Sequence, residues 1–284
     1  MAHPFHLVDV FCSDAYSGNP LAVVVGASEV ATEDMQRFAN FMNLSETAFL
    51  LPPTSDEADY AVRIFTPSTE LPFAGHPTLG TCQVWLDTGG KPKAHGRIVQ
   101  ECGVGMVPIA IDGDRLAFQA PPMVRFGPLS SDEIATFSGQ LGVDPKTVVD
   151  GAWVDNGPGW AALLLPDAQS VLDIELARVD SKLGVVGPYL GAVGAHSGAS
   201  VDAAFEVRAF FSTNGSPAED PVTGSLNASV AQWLVGSGRA TPPYQVTQGT
   251  ALGRAGRVAI TQDAAGGIWV GGQVATCVTG SVNL

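Results

Sequence analysis

The chain repeats itself faintly at close to half its length, and this limits its fold more than any other feature. Arg63-Ile-Phe65 is followed by Gly75-His76-Pro77-Thr78-Leu79-Gly80-Thr81, and Arg208-Ala-Phe210 by Glu219-Asp220-Pro221-Val222-Thr223-Gly224-Ser225. Both read R-x-F, a gap, x-[HD]-P-x-x-G-[TS] and a largely apolar run. The offsets are 208 − 63 = 145 and 220 − 76 = 144, against half of 284 residues, 142. Two weaker pairs keep the same order. Gly18 to Val25 resembles Gly157 to Leu165, at an offset of 162 − 22 = 140, and Val99-Gln100 resembles Val246-Thr-Gln248. Ordered matches near half the length predict two copies of one domain, each rich in strands and carrying one main helix.

Local signals agree with an α+β chain. Leu7 to Phe11 and Leu21 to Val25 read as strands joined by the Gly18-Asn19-Pro20 turn. Glu33 to Met42 has helical spacing, with Thr32 as its expected cap and Asn43 as its stop. Ser45 to Leu51 and Ala61 to Phe65 read as strands, and Pro77 through Asp87 as the first central helix. In the second half, Ser131 to Leu141 reads as helix, Ala161 to Leu165 and Ala204 to Phe210 as strands, and Pro221 through Val235 as the second central helix. The expected domains are residues 1–120, with the tail 273–284 returning to them, and 121–272.

Charge narrows the function classes. With 14 basic and 28 acidic residues the formal charge is −14, and no basic run interrupts it. Such a surface repels phosphate backbones and acidic headgroups, so nucleic-acid and membrane partners are not expected. Cys12, Cys82, Cys102 and Cys277 show no C-x-x-C spacing. The start, MAHPFHLVDVF, lacks the basic and apolar regions of a signal peptide, so the expected location is the cytoplasm.

Chemistry points to the two central helices. His76-Pro77 and Asp220-Pro221 read as a capping side chain followed by proline at the first helical position. Small residues follow in both. A helix start carries unsatisfied N–H groups and partial positive charge, and therefore suits a carboxylate. Two such starts facing one another would hold an anionic substrate in an otherwise acidic protein. Taken singly, each reads better as an ordinary capped helix, and it is the matched pair that points to a site.

Four stretches carry a specific resemblance. They are Val8-Asp-Val-Phe11 with Gly18-Asn19-Pro20-Leu-Ala-Val-Val24; Asn43-Leu-Ser-Glu46-Thr-Ala-Phe49; Arg63-Ile-Phe-Thr-Pro67 with Glu70 to Thr81; and Glu219 to Ser225. Together they resemble the signatures of the PhzF-like (phenazine biosynthesis) family. The resemblance implies a diaminopimelate-epimerase-like fold, two pseudo-symmetric α+β domains each wrapping a curled, barrel-like sheet round a central helix. It also implies a homodimer, no cofactor and no metal.

By the same resemblance Glu46 is a general acid/base, with His76 and Asp220 as its catalytic partners. Gly75, Pro77, Thr78, Gly224, Ser225 and Asn19 are implied as substrate-binding residues. The implied reaction is a proton-transfer isomerisation that shifts a double bond in a small cyclic carboxylic acid. Gly75 and Asp220 stand where related epimerases carry cysteines, which argues against two-thiol racemisation. Phe211 to Pro217 and Leu226-Asn227 depart from the family's pattern beside the expected pocket. Two further readings stay open: a small-molecule-binding or regulatory protein on the same fold, and an epimerase or dehydratase using Glu46.

Other signals carry less. Cys102-Gly-Val-Gly105 mimics a thiol-racemase motif, but strand follows it. His3 and His6 lack a third metal ligand and lie in an N-terminus that reads as loose. His95 and His196 read as solvated loop residues. Gly249 to Gly256 precedes strand rather than helix and reads as a hairpin turn, not a phosphate loop.

Overall fold

A computed structural model describes residues 1–175, 178–190, 203–213 and 215–284 of the chain. Two compact units emerge, Met1–Gln119 with Gly271–Leu284, and Ala120–Val270. His196 lies outside the described residues. Among the described residues no helix is long and apolar enough to cross a membrane.

The first unit runs β1 (Ala2–Cys12), β2 (Asn19–Val25), α1 (Thr32–Met42), β3 (Thr47–Leu51), β4 (Tyr60–Phe65), β5 (Glu70–Leu71), α2 (Gly75–Asp87), β6 (Arg97–Cys102), β7 (Gly105–Asp112) and β8 (Arg115–Gln119). The second runs β9 (Arg125–Pro128), α3 (Ser131–Leu141), β10 (Asp150–Asp155), β11 (Trp160–Leu164), α4 (Ala168–Leu172), β12 (Lys182–Pro188), β13 (Ala203–Thr213), β14 (Ser216–Asp220), α5 (Gly224–Gly236), β15 (Tyr244–Gln248) and β16 (Gly256–Gln262). The last strand, β17 (Ile268–Asn283), begins in the second unit, and from Gly271 on it belongs to the first.

In the first unit the strand pairings close on themselves. β1 pairs with β2, then β3, β4, β6, β7, β8 and β17 follow, and β17 pairs back to β1, giving a barrel of eight strands. Closure removes the exposed sheet edge. His3 and His6 are therefore strand residues opposite Val282 and Thr279 of β17, not part of a loose terminus.

α2 lies inside this barrel, touching β1, β2, β3, β4, β6 and β8. An eight-stranded barrel leaves little interior room. That explains why its first turns are built from Gly75, Pro77, Thr78, Gly80 and Thr81, all buried, rather than from an apolar stripe facing one way. A Cβ on Gly80 would come within 2.5 Å of Leu21 and 2.9 Å of Val10.

The second unit repeats the order. From β1 to β7 the successive pairings, skipping the short β5, are antiparallel, parallel, antiparallel, parallel, antiparallel. From β10 to β16, skipping β14, they are the same. In both, a helix joins the second strand to the third, and a short hairpin strand precedes the central helix.

The R-x-F motif now has a physical reason. Residues two apart on a strand share a face, and the Arg63 guanidinium lies 5.1 Å from the Phe65 ring while Arg208 lies 4.8 Å from Phe210. Each arginine also grips a glutamate on the hairpin partner with two parallel hydrogen bonds. Arg63 reaches Glu70 at 2.7 and 2.6 Å, and Arg208 reaches Glu219 at 2.9 and 2.7 Å. Phe65 pairs with Glu70 and Phe210 with Glu219, so the second hairpin is four residues longer, (219 − 210) − (70 − 65) = 4.

Those four residues correct the sequence alignment. Beyond the hairpin the true offset is 149, from 219 − 70, 221 − 72 and 224 − 75, matching Glu70-Leu-Pro-Phe-Ala-Gly-His76 to Glu219-Asp-Pro-Val-Thr-Gly-Ser225. The structural counterpart of His76 is Ser225, and that of Asp220 is Leu71. The expected capping also fails. The N-cap residues are Ala74 and Thr223, neither caps with its side chain, and Asp220 closes β14 instead.

Pro77 is the third residue of α2, and its missing N–H costs nothing because the first intrahelical bond is Thr78 N–H to Ala74, 3.2 Å. Pro221 lies ahead of α5. At α1, Thr32 is the first helical residue rather than the cap, and its hydroxyl accepts from Arg63 at 3.1 Å. Asn43 does end α1, in the left-handed region at φ 52°.

The Gly18 turn leads the chain from β1 into β2. Both oxygens of buried Asp9 accept the Gly18 N–H, at 3.1 and 3.0 Å. A Cβ there would sit 2.2 Å from the Val10 carbonyl oxygen and 2.9 Å from the Cys12 nitrogen, both backbone atoms that side-chain repacking cannot move. Gly18→Ala is therefore expected to lower unfolding stability by about 1–3 kcal/mol, read from the midpoint of a urea melt; an unchanged midpoint would contradict this packing.

Candidate active site

Glu46 stands between a helix stop and a strand start. The left-handed Asn43 turns the chain out of α1, and Thr47 opens β3 by pairing with Ala22 and Phe65. His76 is the second residue of α2, 3% exposed, and its Nδ1 meets Glu46 Oε2 at 2.9 Å. The Glu46 side chain is 18% exposed, so one carboxylate edge stays within reach of a ligand.

The other imidazole nitrogen, Nε2, lies 3.4 Å from the Pro20 carbonyl oxygen. A carbonyl only accepts, so the tautomer that uses this contact carries its hydrogen on Nε2 and turns Nδ1 to the Glu46 carboxyl. The carboxyl–imidazole–carbonyl row thus sets a buried imidazole against a partly exposed glutamate side chain. This brings together Glu46 and His76, and it places Asn19, fully buried, next to the orienting Pro20. Gly75 and Pro77 flank His76. Thr78 is fully buried, and its hydroxyl donates to the Ala74 carbonyl at 2.9 Å while accepting from Gln100 Nε2 at 3.0 Å.

In the second unit the start of α5 carries Gly224 and Ser225. Trp160 Nε1–H donates to Ser225 Oγ at 3.1 Å, and Asn156 donates to the Ser225 carbonyl at 2.9 Å. An indole N–H has no other role than donor. The Ser225 oxygen is thereby engaged as an acceptor, which leaves its own proton to offer to a further acceptor. The first intrahelical bond of α5 is Asn227 N–H to Thr223, 3.0 Å. The N–H groups of Gly224, Ser225 and Leu226 precede that bond and have no partner within the helix. Asp220 precedes this turn, and its Oδ2 accepts from the Thr223 hydroxyl at 2.6 Å. Nothing in the sequence marked a role for Trp160, Asn156 or Thr223, because each acts through a contact formed only on folding.

Thiol chemistry has no foothold. Burial pushes the Cys82 thiol, on α2 itself, up to about 12, and Cys12 to about 11 by burial and the nearby Asp9 carboxylate. Cys102 and Cys277 are also raised, mainly by burial. A nucleophilic or racemising cysteine needs a lowered value.

The family profile described as phenazine biosynthesis-like protein matches residues 8–280. The chain belongs to the PhzF family. It is similar to antisense-enhancing sequence 1 of Schizosaccharomyces pombe, 33% identical, with 98% of each chain covered. It is also similar to the trans-2,3-dihydro-3-hydroxyanthranilate isomerase of Pseudomonas fluorescens, 31% identical over 89% of this chain and 87% of that one. A solved PhzF-family protein from Bacillus anthracis shares the fold with a TM-score of 0.81, all of both chains covered, at 18% identity. The α+β, epimerase-like fold expected from the sequence is the fold observed, and this PhzF-family chain is an isomerase.

One carboxyl whose pKa is raised lies away from these residues. Glu206 of β13 is fully buried, with Oε2 accepting from Tyr189 at 2.7 Å, from Thr250 at 3.1 Å and from Thr247. Burial raises its pKa, against the lowering effect of those hydroxyls. A carboxyl raised on folding binds more protons in the native state than in the unfolded one. Its contribution is thus most favourable below the ordinary carboxylate pKa and is lost as pH rises through the native value. Glu206→Gln is expected to gain stability on the parent protein at pH 7.5 relative to pH 4.5. Denaturant melts at both values check this, and parallel curves would refute it.

Proposed function

We propose that the chain isomerises a small, cyclic, unsaturated carboxylic acid by cofactor-independent proton transfer, with Glu46 as the acid/base. The observation that carries this reading is the partly open Glu46 carboxyl held at 2.9 Å from the buried imidazole of His76. In the first step ionised Glu46 takes a proton from a substrate carbon beside the unsaturated system. The electron pair left behind moves the double bond. The protonated carboxyl then returns the proton to a different carbon, so the product is an isomer and the enzyme is unchanged. No redox partner or external proton is required.

His76, oriented by the Pro20 carbonyl, keeps the Glu46 carboxyl aimed and shares its proton. Asp220 is the second polar partner for charge that develops on the substrate. The substrate carboxylate is bound by Gly224 and Ser225 at the start of α5, where helix N–H groups and the Ser225 hydroxyl proton all donate. Gly75, Pro77, Thr78 and Asn19 shape the corresponding surface around His76, with Thr78 doing so from within the helix. The substrate class follows the similarity to trans-2,3-dihydro-3-hydroxyanthranilate isomerases, and the working form proposed from the resemblance of the sequence motifs is a homodimer.

Incubation with trans-2,3-dihydro-3-hydroxyanthranilate in D2O tests the reaction. The parent protein is expected to form isomer and to place deuterium at carbon. Glu46→Gln should lower that rate by about 10²–10⁴ without changing the melting temperature by more than a few degrees. Ligand-induced stabilisation without exchange would instead mark a binding protein. Exchange that persists in Glu46→Gln would remove Glu46 from its role.

Trp160→Phe leaves the ring in place and removes the N–H that occupies the Ser225 oxygen. It is expected to raise KM by about three- to tenfold, the worth of one neutral hydrogen bond, with a smaller change in kcat. Equal KM values for the two proteins would argue against Ser225 as a carboxylate donor.

A further inference from the structure

Both central helices are locked at the same point by a buried glutamine from a strand of their own unit, and comparing the two locks shows a difference in polarity. In the first unit Gln100 of β6 donates through Nε2 to the Thr78 hydroxyl at 3.0 Å, and its Oε1 accepts from Tyr60 at 3.0 Å. Thr78 in turn donates to the N-cap carbonyl of Ala74 at 2.9 Å. The chain of donors ends on the backbone.

In the second unit Gln248 of β15 holds the equivalent place, and Asn227 replaces Thr78 at 227 − 78 = 149. Asn227 Nδ2 likewise donates to its N-cap carbonyl, that of Thr223, at 2.9 Å. An amide N–H, unlike a hydroxyl oxygen, presents only hydrogens to the glutamine. Gln248 therefore turns its Oε1 inward, accepting from Asn227 at 2.7 Å and from the Thr223 N–H at 3.0 Å. This frees its Nε2 hydrogens, which go to the Thr223 hydroxyl oxygen at 3.0 Å and to the Asp220 carbonyl at 3.1 Å.

With its oxygen engaged as an acceptor, the Thr223 hydroxyl directs its own proton to Asp220 Oδ2 at 2.6 Å. Ala74, the counterpart of Thr223 in the first unit, has no hydroxyl. Gln248 and Thr223 are buried, so no solvent competes for these donors.

We infer that Gln248 and Thr223 are positioning residues for the reaction: a buried one-way row of donors, Gln248 to Thr223 to Asp220, that fixes the Asp220 carboxylate beside the start of α5. Set against the first unit, the second differs at three positions of this row, Asn227 for Thr78, Thr223 for Ala74 and Asp220 for Leu71, and together these make an aiming device of a structural lock. This rests on the catalytic reading of Asp220 proposed above, but the aiming itself is a geometric statement with its own readout.

Two variants test it from different directions. Thr223→Val is isosteric and removes the last donor. Asn227→Thr restores the first unit's arrangement, so Gln248 flips and ceases to feed Thr223, while the helix lock survives in a form this chain already uses. Crystal structures of both should show the Asp220 carboxylate displaced by about 1 Å or more. With trans-2,3-dihydro-3-hydroxyanthranilate, kcat should fall about 10- to 100-fold while KM stays within about twofold, and Thr223→Ser, which keeps the hydroxyl, should restore both position and rate. An Asp220 carboxylate left in place in both variants overturns the inference. Parent protein that does not turn over this acid sinks the proposed reaction alone, since the crystallographic comparison still decides whether these residues position Asp220.

Discussion

The bidentate grip of an arginine on a glutamate across a hairpin, made once in each unit, fixes where everything after it begins. Arg63 holds Glu70 and Arg208 holds Glu219 with paired hydrogen bonds, over phenylalanines two residues on. Planar two-point contacts of this kind set direction as well as distance. From the gripped glutamate the chain takes five residues to reach the first helical glycine, Gly75 or Gly224. The next residue is His76 in one unit and Ser225 in the other. The second pair is 5% exposed on both sides and the first is more open, 30% and 39%. Loss of one partner would accordingly cost more in the second unit, where the remaining charge would be stranded out of water.

Two copies of one scaffold carry different polar groups at the same place. Each encloses a central helix made largely of small residues, and each closes the first turn with a glutamine from a neighbouring strand. One copy presents a carboxyl–imidazole pair at its helix start, the other a hydroxyl, helix N–H groups and a carboxylate. Proton transfer needs a group that both takes and gives, whereas holding a carboxylate needs donors. In the proposed reaction the division of residues between the copies follows that distinction.

Much of this was legible in the chain. The duplication, the R-x-F strands, the Asn43 stop and the approximate extent of both central helices are all written in local pattern. Glu46, His76 and Asp220 were reached through family motifs rather than through spacing. The alignment of His76 with Asp220 failed because proline is conspicuous in sequence. The four residues that lengthen the β13–β14 hairpin shift the register, and only strand pairing reveals them. The expected capping failed for a related reason. In both helices the chain turns later or earlier than the proline suggests, once the hairpin dictates where the helix starts. Thr223, Gln248 and Trp160 fell within the repeated stretches and Asn156 beside one, but none showed its role, since a threonine or glutamine in a polar stretch looks the same whether it faces water or a buried carboxylate.

The amino-acid sequence by itself determined the doubled α+β plan, the absence of an activated thiol motif, and the residue types at each helix start. These depend on short-range steric and hydrophobic preferences that act within a few residues. Tertiary structure alone decided that Glu46 faces His76 across thirty positions of chain, 76 − 46 = 30, that Pro20 orients the imidazole, and that an amide at 227 reverses a glutamine twenty-one positions away, 248 − 227 = 21. Hydrogen bonds are directional and short, so their partners are chosen by which strands and helices meet, and that choice is made only when the barrel closes.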